Sequence, residues 1–336
     1  MNKQATLTVW KKLRYGAEAA AFFLFMGFFR LLGIDAASAV GGFIGRHIFY
    51  RLPVTNTARA NLRAAYPDMS DTEIEKIVRA MCDNLGRVVG EYPHLDKLTL
   101  GDGGRIALEG KENGDAAAAS GKGVMFISGH FANWEAMPIT GNLLGYEGAL
   151  VYRPPNNPFV DRWISRQRAI LGPKEHISKG AQGTRRIFTL LRKGKSILML
   201  VDQKTWEGVP APFFGRDAMT TPAPASLALK LGATLLPASA TRIGGAYFRM
   251  KIYPPIEFTP SGDYQRDVLA LTAKINQAIE DMVRANPTQW LWIHRRWTGP
   301  RDKIKQDNKR NGQPLGGSSG TGGTGERVER DGSSLT

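Results

Sequence analysis

Cysteine is almost missing from this chain of 336 residues: Cys82 is the only one. A single thiol excludes an internal disulfide and any cysteine-rich zinc site, and it fits a reducing compartment. Apolar runs long enough for a membrane span are also lacking. The run Ala19–Phe29 (AAAFFLFMGFF), bounded by Glu18 and Arg30, falls well short of the about 20 residues that a spanning helix needs. Acidic residues are scarce, 30 Asp and Glu against 45 Lys and Arg, a net charge of +15. Such an excess predicts an anionic partner: nucleic acid, acidic lipid or an acidic carrier protein. The chain has no Walker phosphate loop, no Gly-x-Gly-x-x-Gly after a strand, no His-Glu-x-x-His and no Gly-x-Ser-x-Gly elbow. With no plausible nucleophilic Ser or Cys, direct attack by a substrate hydroxyl is simpler than a covalent intermediate. What remains is an ordinary hydrophobic share, 42%, which excludes a polytopic membrane protein and suffices for a substantial core.

The amino-terminal segment has two readings. Lys11, Lys12 and Arg14 precede the apolar run, and Ala37-Ser38-Ala39 resembles a cleavage site, as in a signal peptide. Against that, the run is rich in phenylalanine and the next segment, Val40–Ile48, is again apolar. Basic residues flank both sides, with Arg46, Arg51, Arg59 and Arg63 following. This symmetry suits a retained anchor that dips into one leaflet and leaves the protein on the side with anionic headgroups. We therefore expect a membrane anchor over residues 1–50, a main domain over 51–302 and a disordered, polar, Gly/Ser-rich tail over 303–336.

Residues 50–100 read as helical, with Ile77, Met81, Leu85 and Val88 on one face and Cys82 as a core residue. Beyond about residue 105 short apolar runs alternate with amphipathic segments. The runs are Val124–Ile127, Ala149–Tyr152, Ser196–Val201, Thr234–Ala238 and Phe248–Tyr253; candidate helices lie near 158–170, 180–193 and 222–231. Tyr264–Ala285 is the clearest helix, capped by Ser261 or Asp263 and ended by Asn286-Pro287. The alternation predicts an α/β fold: a largely parallel central sheet flanked by helices, with an N-terminal hydrophobic membrane-anchoring helix.

Open α/β sheets gather their sites just past strand ends. His130 and Glu135 follow the first run in Ser128-Gly129-His130-Phe131-Ala132-Asn133-Trp134-Glu135. On one continuous helix a five-residue step turns about 500°, so the two side chains can meet only across a strand-to-helix turn at Gly129. There His130 could take a proton from a hydroxyl while Glu135 orients the ring. Arg153 follows the second run and could hold a phosphate or a developing oxyanion; Asp202 and Gln203 follow another. A structural alternative stands beside each: a capping or packing histidine, a surface salt bridge, a loop cap. Phe213-Phe214-Gly215 either lines an acyl groove or folds back on the core. The segment Gln289–Trp297 interleaves aromatic and basic residues, which suits a membrane interface or a structural cation–π cluster better than stacked nucleic-acid bases.

Taken in order, these pieces resemble the lipid A late acyltransferases, the lauroyl/myristoyl transferase family within the lysophospholipid acyltransferase-like group. The pieces are the N-terminal apolar segment, Gly129-His130-Phe131-Ala132-Asn133-Trp134-Glu135, Tyr152-Arg153-Pro154, Asp202-Gln203, Phe213-Phe214-Gly215, Leu227-Ala228 before Gly232-Ala233, and Trp292-Ile293-His294-Arg295-Arg296-Trp297. The resemblance implies that His130 and Glu135 form the catalytic pair, with Arg153 on the substrate side; we expect Asp202 and Gln203 beside it there. It further implies transfer of a fatty acyl chain from acyl carrier protein to a hydroxyl of a Kdo-bearing lipid A precursor, at the cytoplasmic face of a bacterial inner membrane. No metal, cofactor or nucleic acid is implied. Glu135 stands where the glycerolipid branch usually has Asp, and that branch's Phe-Pro-Glu-Gly-Thr-Arg type motif is missing, which favours the lipid A branch. A related branch acylating mannosylated phosphatidylinositol shares the His-x4-Glu spacing, so another lipid acceptor stays open. So does a non-catalytic basic protein that binds membranes or nucleic acid.

Overall fold

The computed structural model describes residues 9–297. The expected tail, 303–336, lies outside them. Four helices come first: α1 (Val9–Leu31), α2 (Ile34–His47), α3 (Thr55–Ala65) and α4 (Asp71–Glu91). A capping box starts α4: the Ser70 hydroxyl accepts the Glu73 N–H, and the Glu73 carboxylate accepts the Ser70 N–H. Helices α2 and α4 pack backbone to backbone through glycine. A Cβ on Gly45 would stand 2.0 Å from the Cys82 carbonyl oxygen, and one on Gly86 2.0 Å from that of Gly41. Cys82 is buried there, and burial pushes its thiol up to about 12, so it is an unreactive core residue.

The rest is an α/β layer. In chain order it contains β1 (Ile106–Glu109), α5 (Lys111–Ala119), β2 (Val124–Ser128), α6 (Ala136–Leu143), β3 (Gly148–Tyr152), α7 (Pro158–Leu171), β4 (Glu175–Ser178) and α8 (Ala181–Arg192). Then come β5 (Ser196–Leu200), β6 (Val209–Phe213), β7 (Arg216–Thr220), α9 (Ala223–Leu231), β8 (Thr234–Gly244), β9 (Tyr247–Ile252) and α10 (Tyr264–Ala285). Seven strands form one sheet in the order β1-β9-β8-β2-β5-β3-β4, and β6 and β7 pair as a separate antiparallel hairpin. Every pairing in the large sheet is parallel except β8 with β9. All five residues of β2 are buried, as a strand covered on both faces requires. Its side chains alternate between two cores. Met125 and Ile127 join residues of α3, α4, α8, α9 and α10; Val124 and Phe126 join α6 and the β8–β9 pair.

The predicted helices at 158–170, 180–193, 222–231 and 264–285 match α7, α8, α9 and α10 closely. Asp263, rather than Ser261, caps α10, accepting from the N–H groups of Gln265 and Arg266; Ser261 instead donates to Asp267. The short strands β1 and β4 and the β6–β7 hairpin went unpredicted. In β4, only Ile177 is buried, too little for a periodic signal.

The apolar run Ala19–Phe29 lies within α1. Leu24 and Leu31 are 77% and 88% exposed, and Phe23, Phe25, Phe28 and Phe43 are exposed as well. Among the described residues, no helix is long and apolar enough to cross a membrane. Specific bonds fix α1 on both sides: Arg30 donates to the Pro93 carbonyl and the Asp96 carboxylate just past α4, and Asn157, at the start of α7, donates to the Tyr15 carbonyl.

Candidate active site

Strand β2 ends at Ser128, and the chain turns sharply through Gly129–Glu135 into α6. Gly129 leaves room for a carboxylate from the next strand: a Cβ there would lie 3.0 Å from Asp202 Oδ2. Asp202 follows β5, the parallel neighbour of β2, so both strand ends deliver their polar residues to one edge. Asp202 Oδ1 lies 2.8 Å from His130 Nδ1, and Oδ2 accepts the His130 backbone N–H at 2.8 Å and Trp290 Nε1 at 2.8 Å. An ionised carboxylate only accepts, so the proton of a neutral imidazole sits on Nδ1 and Nε2 carries the lone pair. Burial alone would raise the Asp202 pKa; the adjacent His130 and three hydrogen bonds outweigh it and hold the acid at about 2. The Gln203 amide stands 3.4 Å from His130 Nε2.

Glu135, expected to orient His130, does not bond to it. Its carboxylate takes Arg168 Nε and Nη2 at 2.7 and 2.6 Å, together with Tyr92 Oη and Trp134 Nε1, both at 3.2 Å. The reason is both geometric and electrostatic. Glu135 stands at the head of α6 facing α7, and a two-toothed bond to a guanidinium stabilises a carboxylate that is 2% exposed better than a neutral ring would. Burial opposes the charge on Arg168, but the neighbouring Glu135 carboxylate raises its pKa further and keeps it cationic. Tyr92 is pushed well up, first by burial and then by Glu135, so it remains a neutral donor.

His130, Glu135, Arg153 and Gln203 line a single open cleft, together with Trp134, Tyr152, Arg168, Lys179 and His294. Arg153 is exposed and Asp202 is buried. Asp202 thus sits behind His130, not on the substrate side where the sequence suggested it. A second space, narrow and strongly apolar, opens between α6 and the sheet, lined by Phe126, Met137, Leu144, Leu198 and Met250 among others. Pro138 and Leu198 line both spaces.

The carboxyl-terminal aromatic segment belongs to the site as well. Phe131 and Trp290 form a β-bridge, the Leu291 N–H donates to the His130 carbonyl, and the His294 ring centroid lies 5.9 Å from that of His130. Trp290, Trp292 and Trp297 are buried, so these indoles do not face a membrane. The cation–π expectation holds, with the Arg296 guanidinium 4.7 Å from the Phe213 ring centre. Phe213 and Phe214 are buried too, folded back on the core and away from both cavities. Sequence reasoning missed Arg168, Trp290 and His294. Only the aromatic–basic pattern of 289–297 marked two of them, and it suggests surface binding as readily as a site.

The whole described chain matches the family model of bacterial lipid A biosynthesis acyltransferases, over residues 7–298. The chain is similar to the lipid A biosynthesis palmitoleoyltransferase of Escherichia coli (strain K12), 28% identical over 252 residues, 71% of this chain and 77% of that protein. It is also similar to the lipid A biosynthesis lauroyltransferase of the same organism, 26% identical over 247 residues, 70% of this chain and 76% of that protein. A more distant relative is the phosphatidylinositol mannoside acyltransferase of Mycobacterium tuberculosis (strain ATCC 25618 / H37Rv), 24% identical over 225 residues, 65% of this chain and 62% of that protein. With a cleft built on a histidine–carboxylate pair beside an apolar cavity, and a family match spanning nearly its full length, the chain belongs to the bacterial lipid A biosynthesis acyltransferases.

Proposed function

We propose that the protein transfers a fatty acyl chain from the thioester of acyl carrier protein to a hydroxyl of a Kdo-bearing lipid A precursor, at the cytoplasmic face of the inner membrane. The observation that carries this reading is His130, its Nδ1 fixed by Asp202 and its Nε2 left as a base at the mouth of a cleft that adjoins an apolar cavity.

In this account, Nε2 removes the proton of the acceptor hydroxyl as its oxygen attacks the thioester carbonyl. Asp202 steadies the imidazolium. Arg168, held by Glu135 through Nε and Nη2, keeps Nη1 for the developing oxyanion. When the tetrahedral intermediate collapses the C–S bond breaks, and His130 returns the proton to the leaving thiolate. General base catalysis of this kind supplies about 10²–10⁴-fold, so positioning supplies the rest. Arg153 and Lys179 at the cleft are suited to anionic groups of the acceptor. The acyl chain would lie along the sheet face below α6. From Leu200 in the cleft to Ser196 in the apolar cavity is four strand residues, about 13 Å. The exposed apolar side chains of α1 and α2 suit in-plane docking in one leaflet.

Mass spectrometry of lipid A from cells lacking the gene tests the reading. Loss of one secondary acyl chain, restored by the wild-type gene and not by His130→Ala, supports it. Unchanged lipid A with altered phospholipids or acylated glycolipids would reverse the choice of acceptor.

A further inference from the structure

Behind the turn that carries His130 lies an ion pair outside the cleft. Glu91 of α4 is fully buried, and the Arg242 side chain of β8 is 8% exposed. A buried pair recovers little net stability after both charges lose their water, so its presence calls for another account. Its bonds run to the turn. Glu91 Oε2 accepts Asn133 Nδ2 at 2.9 Å, and Asn133 Oδ1 accepts the Glu135 N–H at 3.1 Å. Arg242 Nε donates to Asn84 Oδ1 at 3.0 Å, and Asn84 Nδ2 donates to the Ala132 carbonyl at 3.1 Å. An amide side chain has one donor end and one acceptor end, so each asparagine relays the placement of the ion pair to the backbone. The Arg242 backbone also exchanges two bonds with the Gln289 side chain, at 2.7 and 3.1 Å, while the Gln289 carbonyl accepts the Ala132 N–H at 2.9 Å.

Ala132 needs this holding. Its φ of 44° lies in the left-handed region, where a residue with a Cβ stays only if its surroundings over-determine it. We propose that Glu91 and Arg242 are a positioning pair: they hold the 130–135 turn in its strained shape and thereby set where His130 Nε2 stands against the bound thioester. Neither residue touches substrate. The proposal rests on the acyltransferase reading above.

The test uses the full-length protein as wild type, Asn133→Ala and Glu91→Gln, assayed with an acyl thioester and lipid acceptor in vesicles. Asn133→Ala cuts the relay yet leaves the ion pair in place, so it remains informative if Glu91→Gln folds poorly. Both variants should lose about 10–100-fold in kcat with KM unchanged, since an error of about 1 Å in placement costs on that order. The imidazole NMR signals of His130 should move in both, in the folded protein well below either melting transition. A lowered melting temperature alone, with kcat per folded molecule and the His130 signals unchanged, would overturn the proposal. If the wild type turns over no acyl thioester, it is the acyltransferase reading that fails; the His130 signals still decide whether the pair positions the turn.

Discussion

Two buried carboxylates serve one cleft, and they are bound in opposite ways. Asp202 is 4% exposed and takes a ring nitrogen, an indole N–H and a backbone N–H; Glu135 is 2% exposed and takes a guanidinium, a phenol and an indole. The partner of Asp202 can change its charge during a reaction, whereas the partner of Glu135 remains cationic. Asp202 is therefore built to answer a proton moving on His130, and Glu135 to fix a permanent positive charge in the cleft wall. The difference teaches that the acid closest in sequence to a histidine need not be its partner: here the parallel neighbour strand supplies the acid.

The comparison can be broken in several places. The largest effect on turnover falls on the Asp202 side. His130→Ala should lower kcat by about 10²–10⁴-fold or more while leaving vesicle binding intact, measured by initial rates and co-sedimentation. Asp202→Asn should approach that loss, because a side-chain amide facing Nδ1 favours the wrong tautomer. If Glu135→Gln costs more turnover than Asp202→Asn, the assignment of roles is inverted.

Stability should rank the other way. Arg168→Met leaves Glu135 buried without its cation, which costs about 3–5 kcal/mol for a pair this enclosed. Chemical denaturation should show that loss, and a smaller one for Asp202→Asn at neutral pH.

Acid sharpens the contrast. The Asp202 pKa is lowered to about 2 in the folded chain against about 3.9 when unfolded. Its stabilising contribution is therefore complete above about pH 4 and lost as the pH falls toward about 2. Asp202→Asn should flatten the acid-unfolding curve in that window; an unchanged curve would mean that the carboxylate is not held as described.

The smallest expected effect concerns the neighbouring cavity. Gly141 lines it, and a Cβ there meets no atom within 4 Å. Gly141→Phe should fold normally and shift acyl preference toward shorter chains, read by mass spectrometry of products, while Gly141→Ala should retain the wild-type length.

Much of this was legible in the sequence. The apolar run of β2 and the amphipathic period of α10 follow directly from burial, and the strand-end rule placed His130, Glu135, Arg153 and Gln203 around one cleft. What escaped was pairing. The five-residue step from His130 to Glu135 suggested a couple, but side-chain direction in the turn depends on Ala132, whose left-handed backbone no pattern announces. Asp202 was found but placed on the wrong side of the histidine. Arg168 lies in α7, a helix with several arginines and no buried residue, where nothing marks one guanidinium as the partner of a buried acid. Trp290 was seen only as composition, because the β-bridge to Phe131 joins residues far apart in the chain.

The central claim is that Asp202, and not Glu135, holds the proton on His130 Nδ1. Nitrogen-15 NMR of the His130 imidazole in wild type, Asp202→Asn and Glu135→Gln tests it most directly. The account predicts an Nδ1–H tautomer in wild type and Glu135→Gln that is lost in Asp202→Asn; loss in Glu135→Gln with retention in Asp202→Asn would contradict it.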